Sequence, residues 1–473
     1  MNKETLQDLV KGKYGRKIAY VDVEEVDQNN ILEVVGETLG TFYFNKRVVK
    51  YLWDYVHGDQ PILYREKIVR DDIINKIVEN HAYEAVQFKV GQTYGEPLQC
   101  VSTIKEDISE YVDRYNTYLR LAHKHARNIK CGEWQSAVGT GFLAVQIVKD
   151  KKSTIPFRIT VPTPMNTYII YSSLNDEPIV SVQELKNLKG EWYKVCHTKT
   201  HQCIIKDGKV SGWSVHAFGN IPIVEYPNNP ERISDVELVI SIFDAINNMQ
   251  SNRMDGIEQF VQSWVKFVNC TVDSETFKQM KMEGALVVKS NNGTDNKADV
   301  DIMTQELNQS ESQVAKQDLI DNFLQILAIP KLEGNTGGDT QGAVQLRNGW
   351  DMAKTRGKLK DPFVQESEQR LNDVILNIIR IKKNDCPIDT SQFEVVINHS
   401  PMDNMLVKAQ FLDYLLKDGV HPKVAFELST LFPDSEKAYT LSEPYLDVLY
   451  RTAEEVKEER VVDDSKNGNI EER

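Results

Sequence analysis

"SDVELVISIFDAINNMQSNRMDGIEQF", Ser234 to Phe260, decides how the chain divides. Pro222, Pro227 and Pro230 precede it, and from there to Val268 no proline occurs. Ser234 suits a helix N-cap, and Glu237 three places on completes a capping-box pattern. Apolar residues recur at Val236, Val239, Ile240, Phe243, Ile246, Ile257, Phe260, Val261, Trp264 and Val265, a helical period. The spacing predicts one helix over 233–268, about 50 Å long at 1.5 Å per residue. Its middle, "NNMQSNRMDG", is polar and weak in helix propensity. Either the two halves pack against different neighbours or the helix breaks there.

Upstream, the period is different. Residues 1–29 are polar and punctuated by glycine, and are expected to be a loosely held arm with one short helix. Residues 45–92 are expected to be largely helical, with Ile68, Ile73, Ile74, Ile77 and Val78 as an apolar stripe, until Gly91, Gly95 and Pro97 stop it. Residues 104–136 form another helical stretch. Short β-like runs follow, among them "GTGFLAVQIV", "NTYIIYSS", "EWYKVCHT" and "QCIIKDGKV", the last with a hairpin signal at Asp207–Gly208. Residues 30–232 thus compose one α+β domain, helices first and a meander after.

Downstream, "GALVVKS", the turn at Asn291–Gly293 and "KADVDIM" predict a hairpin inside a small insert, 269–306. A helix over 307–330 places Ile320, Phe323, Leu324 and Leu327 on one face and stops at Pro330. The glycine-rich stretch 331–343 follows. A long helix over 344–384 buries Leu371, Val374, Ile375, Ile378 and Ile379, and Pro362 predicts a kink near 358–361. "SQFEVVINHSP" is a lone strand within 385–401, residues 402–457 are short helices, and 458–473 form a charged, acidic tail.

The 473 residues carry 56 Lys and Arg against 70 Asp and Glu, a net charge of −14. Such an acidic chain is unsuited to gripping duplex DNA over its whole surface, because phosphate binding draws on a basic one. Transient or sliding contact stays open. No apolar run is long enough to span a bilayer, so no membrane partner is expected. The N-terminus lacks the apolar core of a signal peptide. Six scattered cysteines suit a reducing compartment.

Particular words match a known family when taken in order: "KVGQTYGEPL", then "GTGFLAVQIVKD" with "VPTPMNTYIIYSSLNDEPIVSVQEL", then "GNIPIVEYPNN" leading into the Ser234 stretch, and late "LKDGVHPKVAFELSTLFPDSEKA". The collinear series resembles the portal protein of tailed double-stranded DNA bacteriophages over about 60 to 460. That resemblance implies an α+β, multidomain, phage-portal-like subunit. Its wing would be 30–232 with a return strand in 385–401, and its stem 233–268 with 307–330. A small α/β clip would be 269–306, a tunnel loop 331–343, and a helical crown 402–457. It further implies a ring of twelve subunits around a DNA channel at a capsid vertex of the virion, assembled in the host cytoplasm. Implied partners are double-stranded DNA, the terminase (a packaging ATPase), a tail adaptor, and the major capsid and scaffolding proteins. The short crown departs from longer relatives.

Under this resemblance the tunnel loop places Asn335, Thr336, Gly337, Gly338, Asp339, Thr340 and Gln341 at the DNA channel. Their amides and hydroxyls can exchange hydrogen bonds with phosphate oxygens without a lysine's long-range hold, and such contacts carry no sequence information. A plain flexible connector is the bland alternative. A nucleotide-binding enzyme using 334–342 is a third reading, but no lysine follows Gly342 and Asp339 would repel a triphosphate. Arg347, Lys354, Arg356, Lys358 and Lys360, opposed by Asp351 and Asp361, are either a basic belt near the DNA or a solvated face with intersubunit ion pairs. Asp244, Asp255 and Glu258 are candidates to line the channel with acid, over which a duplex would slide. Cys196, His197, His201 and Cys203 offer four zinc-capable groups, yet their spacing fits no common finger and strand alternation sends Cys196 and His197 to opposite faces. No catalytic elbow or metalloprotease pair occurs, so no catalytic residue, cofactor or metal is assigned and the chain is not expected to be an enzyme.

Overall fold

The computed structural model describes residues 6–10, 13–67, 72–103, 108–150, 152–261, 264–268, 275, 278, 299–303, 309–331, 349–398, 405–429, 431–432 and 434–449. In chain order the elements begin with α1 (Leu6–Val10), β1 (Ala19–Val21), α2 (Ile31–Val56), α3 (His81–Tyr94), β2 (Gln99–Ser102), α4 (Ser109–Leu121) and α5 (Lys124–Val138). Eight strands follow: β3 (Thr140–Ile147), β4 (Phe157–Thr160), β5 (Thr167–Ser172), β6 (Pro178–Lys186), β7 (Trp192–His197), β8 (His201–Lys206), β9 (Lys209–Val215) and β10 (Ile223–Pro227). Then come α6 (Ile240–Val261), β11 (Trp264–Val268), β12 (Asp299–Met303), α7 (Gln309–Leu327), α8 (Trp350–Lys358), α9 (Asp361–Lys382), β13 (Phe393–Val396), α10 (Met405–Lys417), α11 (Pro422–Ser429) and α12 (Ser435–Leu449). Among the described residues no helix is long and apolar enough to cross a membrane.

The chain forms two compact units. One holds 1–13, 51–85 and 236–349; the other holds 14–50, 86–235 and 350–473.

In the first unit α6 and α7 run antiparallel. Phe243 meets Phe323 edge-on at 5.1 Å near one end, and the Arg253 guanidinium donates to Gln313 at 2.6 Å towards the other. His81 lies against both phenyl rings. The predicted helix over 233–268 is shorter than expected. Residues 235–239 form turns, α6 spans 22 residues, and Trp264–Val268 is a strand paired antiparallel with Asp299–Met303. "WVKFV" is rich in aromatic and β-branched residues, which suits a pleated strand better than a further helical turn. It partners the 299–303 strand; 284–290 and the turn at 291–293, the other half of the expected hairpin, lie outside the described residues. Ser234, which belongs to the second unit, is buried there, its hydroxyl directed at the carbonyl oxygens of Ala137 and Ser136.

The expected helical stripe over Ile73–Val78 is not helical either. Residues 73–80 are extended and end at α3. The backbone N–H groups of Asn75, Ile77 and Glu79 are taken by side chains of α6, in place of the intrahelical bonds a helix would have formed.

In the second unit a six-stranded sheet has the order β1-β5-β6-β7-β8-β9. The last five are the predicted meander. Lys206 pairs with Lys209 across Asp207 and Gly208, whose φ values of 50° and 70° are those a two-residue hairpin of primed type requires. β1 adds in parallel to β5, so part of the expected loose arm is a strand. Ile31, Val34, Val35 and Phe42 on α2 pack against this sheet's Ile170, Val180 and Val182.

The remaining strands make two smaller sheets, β10-β3-β4 and β13-β2. The 393–396 strand is therefore not alone: Phe393 to Val396 pair with Ser102 to Gln99. Both sheets share a core with α4, α5 and α9. On α9 the five residues read as its inner face, Leu371, Val374, Ile375, Ile378 and Ile379, are buried there. The kink predicted at Pro362 is a full break: α8 ends at Lys358, and Pro362 sits in the first turn of α9, where its missing N–H costs nothing. The helical stretch predicted over 104–136 is also divided, between α4 and α5, at Ala122–His123. The C-terminal helices α10, α11 and α12 close on their own small cluster around Leu412, Ala425 and Phe426.

Candidate nucleic-acid interface and its scaffold

Asn335, Thr336, Gly337, Gly338, Asp339, Thr340, Gln341 and Arg347 lie outside the described residues. Of the other basic candidates, Lys354, Arg356 and Lys358 sit on α8, one turn apart or less, and Lys360 is the N-cap residue of α9. Ala353 and Gly357, four residues apart, form its buried face. The Gln92 amide donates to the Ala353 carbonyl, and a Cβ on Gly357 would approach that amide to 2.8 Å. Gly357 is therefore a site of close approach rather than a helix breaker.

Lys354 is half-buried, while Arg356 and Lys358 are exposed. Four-residue spacing puts Lys354 and Lys358 on one face, and Arg356 is turned away from both. The three cations thus do not form one continuous belt. Arg356 belongs instead with Lys89 and Lys360. Burial pushes the Lys360 amine down to about 8; Asp235 opposes this and Lys89 adds to it. Burial also lowers the Lys89 amine, again with Asp235 opposing and with Arg356 adding to the shift. Asp235 is fixed by the Ser136 hydroxyl at 2.7 Å, and its own N–H donates to the Ser136 carbonyl at 3.1 Å. Three cations and two carboxylates, Asp235 and Asp361, make a mixed cluster with at most one positive charge in excess, a weak attraction for a phosphate.

The acidic candidates on α6 fall out differently. Asp255 is buried at 5% exposure. One of its oxygens accepts both the backbone and side-chain N–H of Asn75, at 2.6 and 2.9 Å; the other accepts from Arg65 and Lys67. Burial works to raise this carboxyl, but the bonds from Lys67 and Asn75 and the Arg65 charge outweigh it and hold it below the usual carboxylate value. Asp244 accepts the Tyr55 hydroxyl at 2.9 Å, and burial raises its carboxyl. Both carboxylates are thus engaged by partners within the chain. Glu258 is the exposed one of the three.

The polar middle of α6 is thus a docking strip. Asn247, Ser251 and Asp255, at four-residue intervals, accept the N–H groups of Glu79, Ile77 and Asn75 at 2.8, 3.0 and 2.6 Å. A helix row of pitch four meets every second residue of an extended strap. Sequence reasoning missed the strap; its signal was three short polar residues, Asn247, Ser251 and Asp255, at helical spacing on a single stripe. At the strap's end the Glu79 carboxylate accepts from Lys316 of α7, which also reaches Gln250 of α6 at 3.0 Å.

The four zinc-capable residues also separate. Cys196 and Cys203 are in the core beneath the six-stranded sheet. His197 faces the other way, towards His216 and Phe218, and His201 stacks on Trp213 at 5.1 Å. Among the described residues no three of His, Cys, Asp and Glu come together as a metal site.

No curated protein matches the chain. Solved structures that match include a chain from the neck of an empty gene transfer agent particle computed with C6 symmetry, at 10% identity, 74% of this chain, 90% of that one and a TM-score of 0.46. Another is from the virion of a native gene transfer agent particle, at 10% identity, 81% and 94% coverage and a TM-score of 0.47. A third is from the neck of the native particle computed with C12 symmetry, at 11% identity, 74% and 89% coverage and 0.45. A family model described as "Phage portal protein, SPP1 Gp6-like" matches residues 46–457, from within α2 to beyond α12. With that span covered in one collinear match, the chain belongs to the SPP1 Gp6-like family of phage portal proteins.

Proposed function

We propose that the chain is one of twelve subunits of a non-enzymatic ring at a capsid vertex, through which double-stranded DNA is packaged and later ejected. The packaging ATPase docks on it during filling and the tail adaptor afterwards. Assembly takes place in the host cytoplasm beside the major capsid and scaffolding proteins, and the finished ring stays in the virion. The family match over 46–457 carries this reading.

The structure supplies parts that suit the roles. The antiparallel pair α6 and α7, with the two-stranded β11–β12 sheet following α6, corresponds to a stem bearing a clip. The six-stranded sheet and its helices correspond to the wing, and α10 to α12 to the crown. Twelve chains at −14 give 12 × −14 = −168 formal charges, so the ring as a whole repels DNA and favours passage over retention. Residues 335–341 touch the duplex at the channel, and the basic group of Arg356, Lys89 and Lys360 offers a weak local phosphate contact.

Deletion of 335–341 tests the loop's role. Rings are expected to form as before while capsids fill poorly; normal filling removes the loop from the mechanism. Labelled ATP is expected not to bind the purified ring. Binding that disappears with Gly337→Ala would give the loop to a nucleotide enzyme instead.

A further inference from the structure

We propose that Cys196 and Cys203 are a dithiol that oxidises to a cross-strand disulfide, making the hairpin of β7 and β8 a modification site. The two residues are direct partners across antiparallel strands. Residues so placed lie about 4.5–5.5 Å apart at Cα, within the roughly 4.4–6.8 Å that a disulfide spans. Direct partners share one face of a sheet, and both side chains enter the same core, at 1% and 2% exposure. Among the described residues no other cysteine belongs to that cluster. The neighbouring Cys196 thiol lowers the Cys203 thiol from its usual value, while the same contact and burial raise Cys196, so Cys203 is the one that attacks first.

The oxidant is a small disulfide such as glutathione disulfide. The Cys203 thiolate attacks one of its sulfurs and releases one glutathione thiolate, leaving a mixed disulfide on Cys203. The Cys196 thiolate then attacks the Cys203 sulfur and expels the second glutathione. Two protein thiols lose two electrons and two protons, and one small disulfide becomes two thiols. Burial makes access depend on local opening. β9, the last strand of the sheet, has mostly exposed side chains and is the place for that opening. Such a pair stays reduced in a cytoplasm and closes in an oxidising medium. The reaction needs neither a ring nor DNA, so its outcome is independent of the portal reading.

The test uses the full chain, incubated with glutathione disulfide, denatured in iodoacetamide and digested with trypsin. Lys194, Lys199 and Lys206 place the two cysteines in separate peptides, 195–199 and 200–206. The expected product is one species joining those peptides, separated again by a reductant. In Cys203→Ser, the 195–199 peptide is expected to stay fully alkylated. Recovery of both wild-type peptides singly alkylated, or each carrying glutathione, would overturn the proposal. So would a loss of Cys196 alkylation in Cys203→Ser, which would mean that it pairs elsewhere.

Discussion

Asn75 gives two hydrogen bonds to a single oxygen of Asp255, one from its backbone N–H at 2.6 Å and one from its side-chain amide at 2.9 Å. With Arg65 and Lys67 on the other oxygen, this carboxylate ties 65–67 and Asn75 of the strap to α6. An acidic residue on a long helix of a portal protein would otherwise be read as lining a channel. Here it is an internal latch.

Asp255→Ala is therefore expected to loosen the strap. Removing one partner of a buried ion pair costs about 3–5 kcal/mol; with Lys67 at 29% exposure, about 2 kcal/mol is expected here. Amide hydrogen exchange reports it: Asn75, Ile77 and Glu79 should lose protection while the six-stranded sheet keeps its own. The folded carboxyl sits below its usual value, so its contribution is complete above about pH 4. It is lost as pH falls through the lowered value. Unchanged exchange at the three amides contradicts the latch.

The His197 imidazole gives a second pH dependence. Burial, with His216 beside it, pushes it down to about 4 from an ordinary value of 6.5. Between those values the unfolded chain holds a proton that the folded chain refuses. Stability is full above pH 6.5 and falls as the pH drops to 4, by up to about 3 kcal/mol. His197→Gln should flatten that part of a urea-denaturation profile; an unchanged slope removes His197 as its cause.

A buried pair joins α5 to α9. Lys124 and Glu368 bond at 6% and 1% side-chain exposure, and the Tyr226 hydroxyl donates to the same carboxylate at 3.1 Å. Lys124→Met strands the carboxylate and should cost about 3 kcal/mol in denaturation experiments, whereas Lys124→Met with Glu368→Leu should recover most of it. A double variant no better than the single one would show that the pair has no such coupling.

Two glycines should respond in opposite senses to alanine. Gly139 ends α5 with φ 89°, and a Cβ there would lie 2.0 Å from the Arg232 carbonyl oxygen. Gly139→Ala should cost more than about 2 kcal/mol. Gly40 lies within α2 with nothing within 4 Å of an added Cβ, so Gly40→Ala should add about 0.5–1 kcal/mol. Thermal unfolding distinguishes them, and equal effects would refute both assignments.

Much of this was legible in the sequence, for identifiable reasons. The apolar stripe on α9 follows the helical period without interruption, and Asp207–Gly208 permits little but a tight hairpin, so local pattern and fold agree there. The strap did not announce itself. Ile73, Ile74, Ile77 and Val78 carry a helix-like spacing, yet their conformation is set by Asn247, Ser251 and Asp255, more than 160 residues later in the chain. Likewise "WVKFV" continues an apolar run from α6, and only its pairing with 299–303 makes it a strand. The basic residues of α8 were visible as charges, but the division of Arg356 from Lys354 and Lys358 depends on which side Gln92 occupies.

Electron microscopy of the purified, negatively stained protein tests the central claim most directly. A member of this family acting as proposed should appear as a ring with a central hole wide enough for duplex DNA, with twelvefold symmetry in end-on averages. A population of solitary globular particles without a hole, at every protein and salt concentration tried, would contradict it.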